Sequence, residues 1–460
     1  MKLTEGLIRA RSYIIFILGL IAAFGIVIVL ENWKIEDQLR MEMKTRMAAT
    51  AESSSDASSR EVLQKEKIEK SPNIPLREPR RLTPREEEWA RTAWRYFENN
   101  LHESTGMVDS VDGYPATTMW DTASYLMALI GAERLGIVDA EEFNRRLSSL
   151  LNTLAELPLF EGSLPNKSYN TLNAGMVDYN NQPAESGIGW SAIDVGRLLV
   201  PLNVIVWRYP SHTPEVKQIL RRWRFDCLVR DAILYGTARD SEGRTAFLQE
   251  GRLGYEQYAA KSLALMGLDV SRALDYRAFM GWIGVYGVRV PFDLRDPEKY
   301  HAHNYVVSEP YILDGLEFGW DEVSGELAFR VFRAQEERFI QTGALTAVSE
   351  DHIDEPPFFV YNTVFTDGKV WNCITEKGED ASRFKSISTK AAFGWYALYR
   401  TGYSERLVER VSSLFDPSKG WYSGEYELDG QPNKAITCNT NAMVLESLCY
   451  MQFGRLIRIE

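Results

Sequence analysis

Hydrophobic and polar positions divide the chain into three stretches. From Ser12 to Leu30, SYIIFILGLIAAFGIVIVL has no charged residue over 19 positions, and a helix of that length rises by roughly the 30 Å of a bilayer core. Lys2, Arg9 and Arg11 precede it and acidic residues follow, so the positive-inside bias predicts a cytoplasmic N-terminus over 1–11, a membrane anchor over 12–30 and an extracytoplasmic remainder. Over 31–82 the periodicity is lost. ESSSDASSR and SPNIPLREPRRLTP cannot bury a core and read as a flexible tether. Beyond about residue 83, apolar positions recur at helical spacing to the end.

That periodicity predicts twelve helices, over 84–99, 119–136, 139–155, 190–208, 213–231, 255–267, 271–281, 309–319, 325–341, 388–401, 403–413 and 438–453. In PREEEWARTAWRYFEN, Pro84 starts the helix, three glutamates follow near its positive end, and Trp89, Ala93, Tyr96 and Phe97 repeat on one face. Twelve helices make six hairpins, which suits an all-α fold: an (α/α)6 toroid filling residues 83–460. Short turns such as GIVDA and RTGYSE alternate with long Gly-, Asn- and aromatic-rich connections over 156–189 and 343–387. Long ordered loops usually serve a site.

Composition sharpens this picture in two ways. Among 460 residues there are 12 Trp, 22 Tyr and 20 Phe, more than a helical core alone needs, and 52 basic against 64 acidic residues leave a net charge of −12 that disfavours nucleic acid as a partner. No GxGxxG follows a strand, and GxxxxGK[ST], GxSxG and HExxH are absent, so nucleotide and zinc-protease chemistry lack support and no cofactor is expected. His301 and His303 are too few to hold a metal, and none is expected. The four cysteines, Cys227, Cys373, Cys438 and Cys449, lack zinc spacing; Cys438 and Cys449 lie three turns apart on one predicted helix and cannot bridge each other.

What remains is a set of carboxylates beside aromatics and glycines, concentrated at predicted helix starts: Trp120 with Asp121, Trp190 with Asp194, Tyr255 with Glu256, Glu309 before Tyr311, and Glu350 with Asp351 ending TGALTAVSED. Aromatic faces stack on sugar rings, and carboxyl groups bind hydroxyls or transfer protons, so the combination suits carbohydrate chemistry. The same acids also suit helix capping. Asp178, in a loop with Asn180, Asn181 and Gln182, is a further hydroxyl partner or an Asx turn. Arg252 is a candidate for holding a carboxylate, and Trp371 is a candidate platform.

The runs TTMWDTASYLMAL, LPNKSYNT, GWSAIDVGRLL, QEGRLGYEQYAAK, SEPYILDGLEFGW, TAVSED, FFVYNT, STKAAFGW and CNTNAMVLESL resemble the bacterial family catalogued as domain of unknown function 3131, over roughly residues 83 to 455. The family looks like the (α/α)6 glycoside hydrolases and, more distantly, the endo-β-1,2-glucanases. The resemblance implies cavity positions for Ser191 with Asp194 and for Tyr255 with Glu256. The expected mechanism has Glu256 as general acid, Asp194 or Glu309 as base and Asp121 orienting hydroxyls, in a membrane-anchored, periplasmic or otherwise extracytoplasmic hydrolase or transglycosylase of a glucan or exopolysaccharide. Polysaccharide synthesis or export proteins are expected partners. The competing readings are a noncatalytic glycan-binding or secretion subunit and a polysaccharide lyase.

Overall fold

The computed structural model describes residues 68–457 apart from Ser241 and His301; the expected anchor and most of the tether lie outside this range. Among the described residues no helix is long and apolar enough to cross a membrane. Twelve helices carry the architecture: α1 (Pro84–Asn99), α2 (Met119–Arg134), α3 (Ala140–Glu156), α4 (Ala192–Arg208), α5 (Thr213–Leu220), α6 (Tyr255–Leu265), α7 (Ser271–Leu274), α8 (Glu309–Leu313, continued by a π turn over Asp314–Phe318), α9 (Glu322–Thr342), α10 (Thr389–Leu398), α11 (Gly402–Val411) and α12 (Cys438–Phe453).

The even-numbered helices pack in sequence, α2 on α4, α4 on α6, α6 on α8, α8 on α10 and α10 on α12, and α12 closes the ring on α2. The odd-numbered helices lie outside. This (α/α)6 arrangement follows from two hydrophobic patterns. Inner helices α2 and α12 are buried on nearly every side, as a helix surrounded by neighbours must be. Outer helix α1 is amphipathic, and Trp89, Ala93, Tyr96 and Phe97 all face inward. Close approach is built in as well: a Cβ on Gly196 of α4 would fall 2.6 Å from the Ala259 Cβ of α6, and the Ser262 hydroxyl donates to the Gly196 carbonyl at 2.6 Å. A fully buried guanidinium, Arg197 on α4, braces the ring by pairing with Glu317 of the π turn and, at 2.7 Å, with Glu446 of α12.

The expected all-α class needs correction, because the described residues also contain many short strands. Every one lies in a connection leading into an inner helix. The hairpin Ile233–Arg239 with Thr245–Gln249 precedes α6, Met280–Val285 with Val288–Asp293 precedes α8, and the strands Glu350–His352, Phe359–Asn362 and Cys373–Ile374 form a sheet before α10. Two expected helices, 213–231 and 271–281, end early, at Leu220 and Leu274, and strands Val229–Arg230 and Met280–Val285 occupy the ends of those spans. The connections from inner to outer helices span only a few residues each. One end of the toroid is therefore closed by tight turns, and the other carries a rim of β-hairpins around the inner-helix N-termini.

The end of the expected tether is also not free. The Arg77 amide donates to the Leu398 carbonyl at 2.9 Å, the Arg77 guanidinium bonds the Tyr396 carbonyl and Glu405, and Arg80 pairs with Glu86. All four cysteines are free thiols.

Candidate active site

The six inner helices begin on the rim side, and each brings polar groups to it. On α2, the Asp121 carboxylate accepts hydrogen bonds from Ser110 Oγ (2.6 Å) and Thr118 Oγ1 (2.7 Å). Burial pushes its carboxyl up, and Glu309 adds to the shift against those two bonds. On α4, the Ser191 hydroxyl caps the Asp194 amide at 3.0 Å. Glu250, reaching in from the neighbouring hairpin, accepts from the amides of Ala192 and Ile193. Capping is thus handled by Ser191 and Glu250 rather than by the Asp194 carboxyl. It is half-buried, and burial together with the nearby Glu250 pushes it up to about 7, with Lys167 opposing.

On α6, Glu256 is in a different situation. Its carboxylate accepts from Arg295 Nη1 at 2.6 Å, and from the Leu234 amide and Gln249 Nε2 at 3.3 Å each. The residue is 0% exposed, and Asp293 completes the cluster at 2.5 Å from Arg295. Burial raises its carboxyl to about 6 against the pull of Arg295. With its oxygens engaged by Arg295, Leu234 and Gln249, Glu256 holds the rim hairpin to the ring, and the expected role of general acid is not supported by its position.

On the far side, Glu309 at the start of α8 accepts from Asn439 Nδ2 of α12 at 2.9 Å and pairs with Lys390 of α10. The Lys390 ammonium also lies 3.7 Å from Asp351. Burial draws its pKa down, but Glu309, Asp351 and Glu350 outweigh that and hold it above the ordinary lysine value. Asp351 is 2% exposed, with the Lys390 ammonium and the Ser388 hydroxyl as the groups that favour its charged form. Burial pushes its carboxyl up to about 7 despite Lys390. Glu350, which accepts from Ser349 Oγ at 3.2 Å, is likewise raised by burial, with Lys390 opposing. Asp121 feels the charges of Glu309 and Lys390, and Asp194 that of Asp121, so these groups lie near one another at the rim end of the ring.

The other expected residues separate by exposure. Trp120 and Tyr255 are partly exposed, pack edge to face at 5.6 Å and suit a sugar platform. Trp190, Tyr311 and Trp371 are buried: Trp190 lies between Phe160 and Phe247, and Trp371 lies beneath the Arg338 guanidinium, so they belong to the core. Asp178 closes an Asx turn, its Oδ1 accepting from the Asn180 and Gln182 amides. Arg252 is also structural, bonding Gln249 Oε1 and the Gly251 carbonyl at 2.6 Å each. Sequence reasoning passed over Lys390 and Asn439 as site residues and left Asp351 in the shadow of Glu350. Their signal was position: STK and CNTN stand at the starts of inner helices, where Ser191 and Asp194 stand in α4.

A family model matches residues 88–454 of the chain. The chain belongs to the DUF3131 family of proteins of unknown function. No curated protein matches it. Solved structures share the fold of this DUF3131 domain at low identity. An endo-β-1,2-glucanase from Chitinophaga pinensis, in complex with sophorotriose and glucose, superposes with a TM-score of 0.57 at 12% identity, covering 82% of this chain and 94% of that one. A protein assigned as a glucoamylase from Bacteroides caccae gives 0.57 at 13% identity, with 81% and 94% covered. The endo-β-1,2-glucanase from Talaromyces funiculosus with sophorose gives 0.55 at 10%, with 81% and 84% covered.

Proposed function

We propose that this DUF3131 domain is a glycoside hydrolase or transglycosylase acting on a glucan, held outside the cytoplasm by the anchor over residues 12–30. The observation that carries the reading is the placement of two perturbed carboxyl groups on opposite sides of the inner ring. Asp194 stands on α4, and Asp351 stands beside Lys390 of α10, three helices further round the ring of six. Cleavage of a glycosidic bond needs a carboxylic acid that still holds its proton near neutral pH and a second carboxylate across the scissile bond. Asp194, half-buried and raised to about 7, suits the acid. Asp351, with Lys390 3.7 Å away, suits the base acting on water. Glu309, held by Lys390 and Asn439, and Asp121 orient hydroxyl groups, and Trp120 and Tyr255 stack on a sugar ring.

The fold shared with endo-β-1,2-glucanases supports a β-1,2-glucan as the first substrate to assay. Incubating the protein with linear β-1,2-, β-1,3-, β-1,4- and α-1,4-glucans and separating the products is the direct test. Wild-type protein is expected to shorten one of these chains, and Asp194→Asn is expected not to. Unchanged chains throughout, or full cleavage by the Asp194→Asn protein, would overturn the reading.

A further inference from the structure

Two rim connections that enter neighbouring inner helices enclose a cavity that none of the acids discussed above lines. The loop over 109–114 leads towards α2, and the hairpin Gly420–Tyr426 with Pro432–Ile436 leads into α12. Their backbones are tied together: the Asp112 amide donates to the Ile436 carbonyl at 3.0 Å, the Cys438 amide donates to the Ser110 carbonyl at 2.9 Å, and Val111 bridges to Thr437. The cavity between them measures about 300 Å³. Buried Ile436 gives it an apolar lining. Tyr422, half-buried and opposite Ile436 in register, presents its ring on the same side of the hairpin. The charged groups in the walls are Asp112, Asp416, Lys419 and Lys434. Lys419 Nζ donates to Asp112 Oδ2 at 2.7 Å, and Asp112 Oδ1 accepts from Asn100 Nδ2 at 3.2 Å. Asp416 Oδ1 accepts from the Ser418 amide and hydroxyl at 2.8 and 2.6 Å. With side chains 51% and 22% exposed, the Lys419–Asp112 pair adds little to stability, so holding the fold does not account for it.

We propose that this cavity is a second saccharide site, which takes a neutral pyranose unit of a glycan away from the reacting acids. An apolar wall beside a phenol ring suits the C–H face of a pyranose. A fixed carboxylate–ammonium pair suits two adjacent hydroxyls, one donating to Asp112 and the other accepting from Lys419. Two lysines balance two aspartates in the walls, so the site offers no net attraction to a polyanion, and its volume stands at the lower end of small-ligand sites, room for about one sugar unit. The choice of ligand rests on the reading of the domain as acting on a glucan; the site itself uses neither Asp194 nor Asp351.

The test is calorimetric titration of the full-length Asp194→Asn protein, in which turnover is blocked, with linear glucan hexasaccharides of the four linkages above and with oligogalacturonate as an anionic probe. One neutral hexasaccharide is expected to bind with a component that Tyr422→Ala and Lys419→Met each weaken by about tenfold, close to one stacking or charged contact, and that Tyr422→Phe keeps. Hydrogen exchange needs no substitution in the cavity: the same sugar should protect amides over 419–436. Equal binding by the Ala and Met variants, no protection over 419–436, tighter binding of oligogalacturonate, or no binding of any neutral chain would each overturn the site. Wild-type turnover separates the two readings. Glucan cleavage without a Tyr422-dependent binding component leaves the catalytic reading standing and removes the second site; Tyr422-dependent binding without cleavage by wild-type protein leaves the second site standing without catalysis.

Discussion

Asp194 and Glu256 occupy equivalent places, the first turns of neighbouring inner helices, and burial raises the pKa of both. Their surroundings differ. Glu256 has Arg295 and two further donors and no exposure, so its charge is matched and its work is to join the hairpin before α6 to the ring. Asp194 has another carboxylate, Glu250, as its neighbour, and Ser191 with Glu250 takes over the capping. A carboxyl at a helix start is left available for chemistry when its neighbours relieve it of structural duty and no bonded counter-charge holds it.

The sharpest way to break this comparison is to remove each carboxylate in turn. Asp194→Asn is expected to lower kcat by roughly a thousandfold, in the range for loss of a general acid, with little change in KM; steady-state kinetics on the cleaved glucan checks this. Asp351→Asn is expected to lower kcat by about a hundredfold, and azide should restore part of the rate if the lost group activated water. Glu256→Gln should act on stability instead, because it weakens a buried ion pair and leaves Arg295 to Asp293 alone. A loss of about 2 kcal/mol or more is expected, read as a lower urea midpoint, with kcat of the folded fraction near wild type. A fall of kcat to the level of Asp194→Asn would reverse the two assignments.

The smallest effect concerns pH. Because the Asp194 pKa is raised in the folded protein, the native state binds more protons than the unfolded chain between the usual aspartate range and about 7. Stability from this group is full below the usual range and is lost as pH rises through about 7. Asp194→Asn removes that loss, so its Tm is expected to exceed wild type by a few degrees at pH 8 and to converge with it near pH 4. Activity relying on the protonated acid should fall on the alkaline side of about 7, and a rate that keeps climbing to pH 9 would exclude Asp194 as the acid.

Much of this was legible along the chain. All twelve expected helices exist, α1 and α12 with the expected limits, because inner and outer helices leave strong local patterns and Thr and Ser caps mark their starts. The strands were not legible. Most are two to seven residues long and pair within single connections, too short for alternation to stand out in aromatic-rich loops. The aromatic assignments failed where packing decided: Trp120 and Trp190 both stand just before an aspartate in the first turn of an inner helix, but only Trp190 is enclosed by Phe160 and Phe247.

The sequence by itself determined the helical hairpins, their number, and the end of the toroid where acids and aromatics would gather, since these depend on periodicity and capping within a few residues. Only the tertiary structure decided which of those acids is neutralised. Arg295 lies 39 positions from Glu256, and Lys390 lies 81 positions from Glu309, the second difference following from their numbers. Burial and counter-charge are properties of what the ring brings together, and these set whether a carboxyl at a helix start holds the fold or is left for chemistry.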